Sequence, residues 1–132
     1  MQKSLKKIFK KYNKFNIEKK EIVAIQGMGF VGSVMSIVTS NSKNKRFVFG
    51  LDLPKKIIKK RLESFNKGIF PFKTSDKKIT VELKKAIKNK KIYATTDVDI
   101  YKIADVIVVD VNLDVIKNKK NRNLKYSYKV KL

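Results

Sequence analysis

An apolar run leads directly into three glycines in the sequence Ile22-Val23-Ala24-Ile25-Gln26-Gly27-Met28-Gly29-Phe30-Val31-Gly32. The glycine spacing is the G-x-G-x-x-G of a dinucleotide-binding turn. Its first glycine allows a tight turn out of a strand, the second allows a pyrophosphate to approach the backbone, and the third allows the next helix to pack on the strand. The N–H groups at the start of that helix then receive the phosphate charge. The spacing alone is a weak signal, so the flanking elements must agree with it.

The residues around the glycines fit a strand–turn–helix–strand unit. Residues 21–26 predict a first strand, residues 31–40 a helix with an apolar face, and residues 46–52 a second strand that ends in Asp52. Asp52 lies 20 residues after Gly32, the distance at which a carboxylate meets the ribose hydroxyls of a dinucleotide. The alternative is that Asp52 caps a helix beginning at Pro54.

The alternation of strands and helices continues to the end of an apolar run at residues 105–111. Residues 54–67 and 79–89 predict helices, residues 92–95 a third strand, and residues 98–103 a small helix capped by Thr96 or Asp97. The continuous apolar run predicts a fourth strand that is central and buried on both faces. We therefore predict an α/β, Rossmann-like parallel sheet of about four strands in the order 3-2-1-4, with helices on both faces. Such a sheet is incomplete relative to a full dinucleotide-binding domain, and its glycine turn lies at the switch point between strands one and four.

Three segments of the chain differ in character. Residues 1–20 form a basic amphipathic extension, in which Leu5, Ile8, Phe9 and Tyr12 recur at helical spacing between lysines. This stripe could dock on a membrane surface or a partner, but we prefer packing on the domain itself or on another subunit. Residues 21–116 form the predicted dinucleotide-binding domain. Residues 117–132 are a lysine-rich tail without clear periodicity.

The formal net charge of +22 is carried by lysine far more than by arginine, since the chain has 30 Lys and 3 Arg. Such a charge is typical of proteins that bind nucleic acid or anionic membranes. Lysine, asparagine and isoleucine, all abundant here, have A/T-rich codons, so genome composition offers a second explanation. Because nucleic-acid recognition usually relies on arginine, we prefer the second explanation and do not expect a nucleic-acid partner.

The chain of 132 residues contains neither cysteine nor histidine. This excludes a disulfide scaffold, a thiolate nucleophile, a Cys/His zinc site and a histidine acid–base within these residues, and we predict no metal site. No apolar run reaches the roughly 20 residues of a membrane span, and no signal-peptide core follows the basic N-terminus. A cytoplasmic protein is the default expectation.

Five short motifs follow one another along the chain. They are Gly27-Met28-Gly29-Phe30-Val31-Gly32, Phe49-Gly50-Leu51-Asp52, Asn66-Lys67-Gly68 followed by Pro71, Tyr93-Ala94-Thr95-Thr96-Asp97, and Ala104-Asp105-Val106-Ile107-Val108-Val109. In this order they resemble the G-x-G-[YF]-V-G turn, the end of the second strand, the N-x-G-x-x-P loop, the R-A-T-T-D strand and the A-D-V-I-I-I strand of the UDP-glucose/GDP-mannose (nucleotide-sugar) dehydrogenase family. The resemblance covers residues 21–116, the N-terminal NAD-binding part of that family only.

The resemblance implies NAD as cofactor and assigns roles to particular residues. Asp52 would bind the adenosine ribose, with Lys55 or Lys56 as a nearby cation, and a carboxylate there favours NAD over NADP. Val111 and Asn112 stand where the family has V-P-T-P, and Asn112 takes the place of a cofactor-lining threonine. The residues expected to line the pyrophosphate are Gly27, Met28, Gly29, Phe30, Val31 and Gly32.

Members of the family oxidise the C6 alcohol of a UDP- or GDP-sugar to the uronic acid, in the synthesis of polysaccharide precursors. They use a cysteine and a lysine that belong to a later domain. This sequence does not contain that domain. We therefore expect an NAD-binding portion that is inactive alone and would act on a sugar nucleotide only if the missing domain were supplied, in a homo-oligomer or by a complementing second chain. Two alternatives stay open. One is a non-catalytic basic module that binds nucleotides or polyanions, and the other is a different dehydrogenase or a flavin protein.

Overall fold

The computed structural model describes residues 2–111 in full and the backbone of residues 113–120 and 123–130. The strands are β1 (Glu21–Gln26), β2 (Arg46–Leu51), β3 (Ile92–Thr95), β4 (Val106–Val109), β5 (Leu113–Lys120) and β6 (Asn123–Val130). The helices are α1 (Lys3–Lys11), α2 (Phe30–Asn41), α3 (Lys56–Asn66) and α4 (Lys77–Lys88), with 3₁₀ turns at Asn13–Phe15, Ile17–Lys19 and Val98–Lys102. None of the described helices is long and apolar enough to cross a membrane.

Four strands form one parallel sheet in the order β3-β2-β1-β4, which confirms the predicted fold and strand order. β1 lies between β2 and β4, with Gln26 opposite Leu51 on one side and Val109 on the other. The chain therefore leaves β1 between the carboxyl ends of its two neighbours. This is the switch point at which open α/β sheets bind ligands.

Helices cover both faces of this sheet, as predicted. On one face, α2, α3 and α4 pack on the sheet around the buried side chains Val23, Ile25, Val48, Phe65 and Leu83. On the other face, α1 and the 3₁₀ turns pack against Phe47, Phe49 and Leu51. Successive strand residues serve opposite faces because side chains alternate along a strand.

The N-terminal helix packs on the domain itself. Ile8 and Tyr12 of α1 are buried, and the Tyr12 ring lies 5.0 Å from the ring of Phe49 in an edge-to-face contact. The Tyr12 hydroxyl and the Lys11 ammonium each donate a hydrogen bond of 2.7 Å to Oδ2 of Asp97, just after β3. The apolar stripe predicted from the sequence therefore packs against the core of the same chain.

The prediction that residues 105–111 form a central strand buried on both faces is wrong. β4 is the edge of the four-stranded sheet, and Val106, Ile107 and Val109 are 45%, 48% and 63% exposed. A continuous apolar run reports that a strand avoids water on both faces. It does not show whether the described residues include the elements that cover the strand.

Two further predictions need correction. α3 begins at Lys56 rather than at Pro54, and no side chain caps it. Residues 117–132 were predicted to be a tail without clear periodicity, but the backbone of β5 pairs antiparallel with β6, and β5 crosses the predicted boundary at 116–117. The sequence held a signal for this hairpin, because Leu124, Tyr126, Tyr128 and Val130 alternate with polar residues.

Candidate functional site

A cavity of about 490 Å³ lies at the carboxyl end of the sheet, between the glycine turn, the start of α3 and the end of β4. Its size is in the usual range for sites that bind small molecules and cofactors. Eight of the residues predicted from the sequence line it, namely Gly27, Met28, Gly29, Phe30, Val31, Asp52, Lys55 and Val111. Six further residues line it that were not predicted, namely Gln26, Leu53, Ile58, Arg61, Phe72 and Asp110.

Three predicted residues stand apart from this group. Gly32 is buried and is not among the lining residues. Lys56 is the exposed first residue of α3 and is not among the lining residues. Asn112 lies outside the described residues, so its predicted role stays a prediction.

The first and third glycines of the turn are required by the fold. Gly27 has a φ of +103°, and a Cβ at this position would collide with the backbone carbonyl of Asp110. A Cβ at Gly32 would collide with the backbone carbonyl of Gly27. These contacts allow the strand to turn and α2 to pack closely above it.

The second glycine has a different status. Gly29 has an ordinary φ of −72°, and a Cβ at this position would meet no atom within 4 Å. The protein therefore leaves this backbone bare toward open space without needing to do so for its own packing. A bare backbone facing a cavity fits the close approach of a pyrophosphate.

Met28 anchors the turn to the sheet. Its side chain is only 3% exposed and occupies the space where a Cβ on Gly50 of β2 would lie. Met28 therefore presents backbone, not side chain, to the cavity. The Ser36 hydroxyl of α2, which donates a hydrogen bond of 2.7 Å to the Gly32 carbonyl, lies 3.4 Å from the Met28 sulfur.

The carboxylate of Asp52 is held by two backbone amides. The Met28 N–H donates to Oδ2 at 2.8 Å, and the Leu53 N–H donates to Oδ1 at 2.7 Å. The alternative role of Asp52 as a cap for the next helix is wrong, because its oxygens are engaged here and α3 starts later. Each carboxylate oxygen can accept a further hydrogen bond, so the pair can still receive ribose hydroxyls.

The start of α2 faces the same cavity. No side chain caps this helix, and its first turn carries Phe30 and Val31 at the cavity wall. The first N–H groups of a helix have no partner within the helix. Together with the helix dipole they favour an anion at this position.

Gln26 is fixed at the cavity by Tyr101. The Tyr101 hydroxyl donates a hydrogen bond to Oε1 of Gln26. Burial raises the pKa of the Tyr101 phenol, and the charge of Asp52 raises it further. The phenol therefore stays protonated at neutral pH and remains the donor.

One wall of the cavity is aromatic and cationic. The rings of Phe30 and Phe72 lie 6.0 Å apart, and Phe70 contacts both. The guanidinium carbon of Arg61 lies 5.2 Å from the centroid of Phe72, a cation–π distance. Sequence spacing could not reveal this wall, because α3 and the loop after it bring Arg61 and Phe72 to the glycine turn only in three dimensions.

The sequence matches no known protein-family model, and it matches no curated protein. The structure is similar to the crystal structure of NDP-N-acetyl-D-galactosaminuronic acid dehydrogenase from Methanosarcina mazei Go1, with a TM-score of 0.68, 19% sequence identity and 89% of this chain covered. The chain spans 24% of the length of that protein. At this identity the similarity establishes the fold, and it agrees with the resemblance found in the sequence motifs.

Proposed function

We propose that this chain binds NAD through the ADP half of the cofactor, as the NAD-binding portion of a nucleotide-sugar dehydrogenase. The observation that carries the proposal is the bare backbone of Gly29 at the cavity, beside the uncapped start of α2 and the fixed carboxylate of Asp52. In this arrangement the α2 amides hold the pyrophosphate and Asp52 receives the adenosine ribose. Lys55 and Val111 line the remaining sides.

We further propose that the chain does not oxidise a sugar nucleotide alone. Bound NAD supplies a hydride acceptor, whereas the residues of this chain bind and orient it. The sequence contains no cysteine, so the covalent chemistry implied by the family resemblance must come from elsewhere. Oxidation of a UDP- or GDP-sugar, in the cytoplasm and toward polysaccharide precursors, would require a substrate domain in addition to these 132 residues.

The substitution Gly29→Ala tests the cofactor site without disturbing the fold. A methyl group at this position meets no protein atom within 4 Å, so we expect an unchanged melting temperature. If a pyrophosphate lies against this backbone, the dissociation constant for NAD, measured by calorimetry, should rise on the order of tenfold. ADP should bind nearly as well as NAD to the unaltered chain, and nicotinamide mononucleotide should not.

Asp52→Ala provides a second comparison, with the exposed Asp99→Ala as its control. We expect Asp52→Ala to weaken NAD binding and Asp99→Ala to leave it unchanged. NAD binding that is equally strong in all variants would remove the glycine turn from the site. Formation of NADH from UDP-glucose by the chain alone would refute the proposed inactivity.

A basic polyanion-binding module is the second candidate, favoured by one cluster of lysines. Burial lowers the pKa of Lys20, and the charges of Lys91 and Lys90 lower it further. Crowded positive charge of this kind attracts polyanions. Titration with short duplex DNA at two salt concentrations separates the candidates, because DNA binding that falls steeply with salt, without NAD binding, would favour the module.

A further inference from the structure

A group of lysines lies at the amino end of the parallel sheet, opposite to the cavity at the glycine turn. Lys20 immediately precedes β1, and Lys90 and Lys91 immediately precede β3. β2 lies between these two strands and runs parallel to both, so the strand starts meet at one end of the sheet. Lys14, in the 3₁₀ turn after α1, adds a further charge beside β3. We call Lys14, Lys20, Lys90 and Lys91 the amino-end patch.

Aromatic rings lie beneath the amino-end patch and position its lysines. The Lys14 ammonium stands 4.9 Å from the ring centroid of Phe15 and 5.3 Å from that of Tyr93. The Lys20 ammonium stands 5.6 Å from the ring centroid of Phe47 and donates a hydrogen bond of 2.8 Å to the Phe15 carbonyl. The rings of Phe15 and Phe47 are themselves 4.9 Å apart. One aromatic cluster therefore holds both ammonium groups through cation–π contacts.

No ion pair within residues 2–111 neutralises the amino-end patch. The cations of those ion pairs are Lys11, Lys43, Arg46 and Lys102. The hydrogen bond to Asp97 raises the pKa of Lys11, whereas burial and then the charges of Lys91 and Lys90 lower the pKa of Lys20. Like charges are thus held together here without an acid beside them. An anion placed on the patch would relieve this repulsion.

The shape of the patch favours an extended polyanion over a small anion. Lys14 and Lys90 are exposed, Lys20 and Lys91 are half-buried, and none of them lines the cavity at the glycine turn. The patch is therefore an open surface, whereas small ligands bind in enclosed sites.

The composition of the patch favours a nucleic acid over a membrane. None of the large apolar side chains that the described residues expose belongs to the patch or to the aromatic cluster beneath it. Binding to a bilayer surface depends on apolar groups that insert beside the charges. The phosphate backbone of a nucleic acid needs only cations, and its affinity for them is electrostatic.

The patch consists of lysine alone, which determines what it can recognise. A lysine ammonium binds a phosphate as a point charge, whereas the recognition of base edges usually relies on the planar fork of arginine. The scarcity of arginine in this chain therefore argues against the recognition of a base sequence. It does not argue against contacts with phosphates, which carry no sequence information.

We propose that the amino-end patch binds the phosphate backbone of a nucleic acid, without regard to base sequence. The proposal does not rest on the cofactor function, because the cavity at the glycine turn lies at the opposite end of the same strands. It also differs from the basic module considered above, which would bind polyanions in place of NAD. Both ligands can occupy this chain at the same time.

The test measures the affinity for short duplex DNA of mixed sequence by fluorescence anisotropy over a range of salt concentrations. Lys90→Gln with Lys91→Gln removes two charges from the patch, and Lys59→Gln with Lys60→Gln removes the same number from exposed positions of α3. We expect the patch variant to bind about tenfold more weakly, and the slope of log K against log salt to shrink by about two units. The α3 control should change the affinity by less than about twofold, because salt screens charges remote from the DNA.

The patch variant should keep its fold. The Lys91 carbonyl, which accepts a hydrogen bond of 2.9 Å from the Val48 N–H, belongs to the backbone and is retained. We therefore expect an unchanged melting temperature. Lys14→Gln is the second variant if the first does not fold, and it should reduce the salt slope by about one unit. Equal weakening by the patch variant and the α3 control, or no binding of DNA by the unaltered chain, would refute the patch.

Two further measurements separate this proposal from its competitors. Binding to phosphatidylserine vesicles without binding to duplex DNA would overturn it in favour of a membrane. Saturating NAD should leave the affinity for DNA unchanged, and loss of DNA binding on addition of NAD would place the duplex at the glycine turn and overturn the proposal. If the chain binds DNA through the patch but does not bind NAD, the cofactor proposal fails and this one stands.

Discussion

The two edge strands of the parallel sheet, β3 and β4, differ in how far other residues cover them and bond to them. At the β3 edge, the side-chain amide of Asn66 accepts from the Ala94 N–H and donates to the Ala94 carbonyl, both at 2.8 Å. The rings of Tyr12 and Phe15 pack on Tyr93 of the same strand. At the β4 edge, the described strands offer only β1 as a partner, and Val106, Ile107 and Val109 are exposed.

The difference extends to the distribution of charge. Residues 21–42 and 103–116, which include β1, α2 and β4, contain neither lysine nor arginine, although the chain as a whole has 33 of them. On the outer side of α2, Val31 and Val38 are 60% and 63% exposed. Parallel sheets are normally covered on both faces. Among the described residues, the sheet is therefore well covered toward β3 and exposed toward β4.

Truncation of a core side chain beside β3 should have the largest effect. Phe65 of α3 is fully buried, so Phe65→Ala should lower the free energy of unfolding by about 3–5 kcal/mol. Val109→Ala at the β4 edge should change it by less than about 0.5 kcal/mol. Urea unfolding of both variants measures the difference in the free energy of unfolding. The protein concentration is lowered until this free energy no longer changes with it. Equal losses would mean that the β4 edge is as well packed as the β3 edge.

Asn66 should contribute less than Phe65 but should act specifically on the edge. Asn66→Ala leaves both backbone groups of Ala94 without their partners, at a cost of about 2 kcal/mol. Hydrogen exchange at the Ala94 amide should accelerate in this variant. Asn89→Ala, at an exposed position after α4, is the matched control and should alter neither quantity. Unchanged exchange at Ala94 would show that Asn66 does not protect the edge.

The smallest expected effect concerns Asp97, which ties α1 down beside β3. Burial alone would raise the pKa of Asp97, but the hydrogen bonds from Lys11 and Tyr12 outweigh it and the net pKa is lowered. A lowered pKa in the folded state means stability that is present above the unfolded pKa of about 3.9 and is lost as the pH falls through the folded value.

We therefore expect Asp97→Asn to cost about 1 kcal/mol at pH 7. The difference from the unaltered chain should shrink as the pH falls below about 4. Asp99→Asn, at an exposed surface pair, should show no such convergence. Urea unfolding across this pH range measures both, and a difference independent of pH would refute the role of the ion pair.

The fold was predictable because its signals are local. Glycine spacing, apolar runs and an acid at the end of the second strand determine the strand–turn–helix–strand unit, and the order 3-2-1-4 follows from crossover rules. The exposure of β4 was not predictable, because an apolar run such as Val106, Ile107 and Val109 predicts a buried strand whether or not other elements cover it.

The site was predictable where it follows one turn of the chain. Gly27, Gly29, Asp52 and Lys55 lie on or just after the strand–turn–helix–strand unit and line the cavity, whereas Gly32 does not. Arg61, Phe72 and Asp110 were missed because only the packing of α3 and the pairing of β4 bring them to the turn. On a helix rich in basic residues, the sequence does not show that Arg61 is one of those that line the cavity.

Met28 and Gly50 together limit how the glycine turn can be exchanged. The thioether of Met28 fills the space that a Cβ on Gly50 would need, so the Met28 side chain packs the turn directly on β2. A glycine turn transplanted from another protein would lose this contact unless the residue at position 50 were exchanged at the same time. We therefore expect substitutions at the two positions to be coupled, although Met28 lies in the loop after β1 and Gly50 lies in β2.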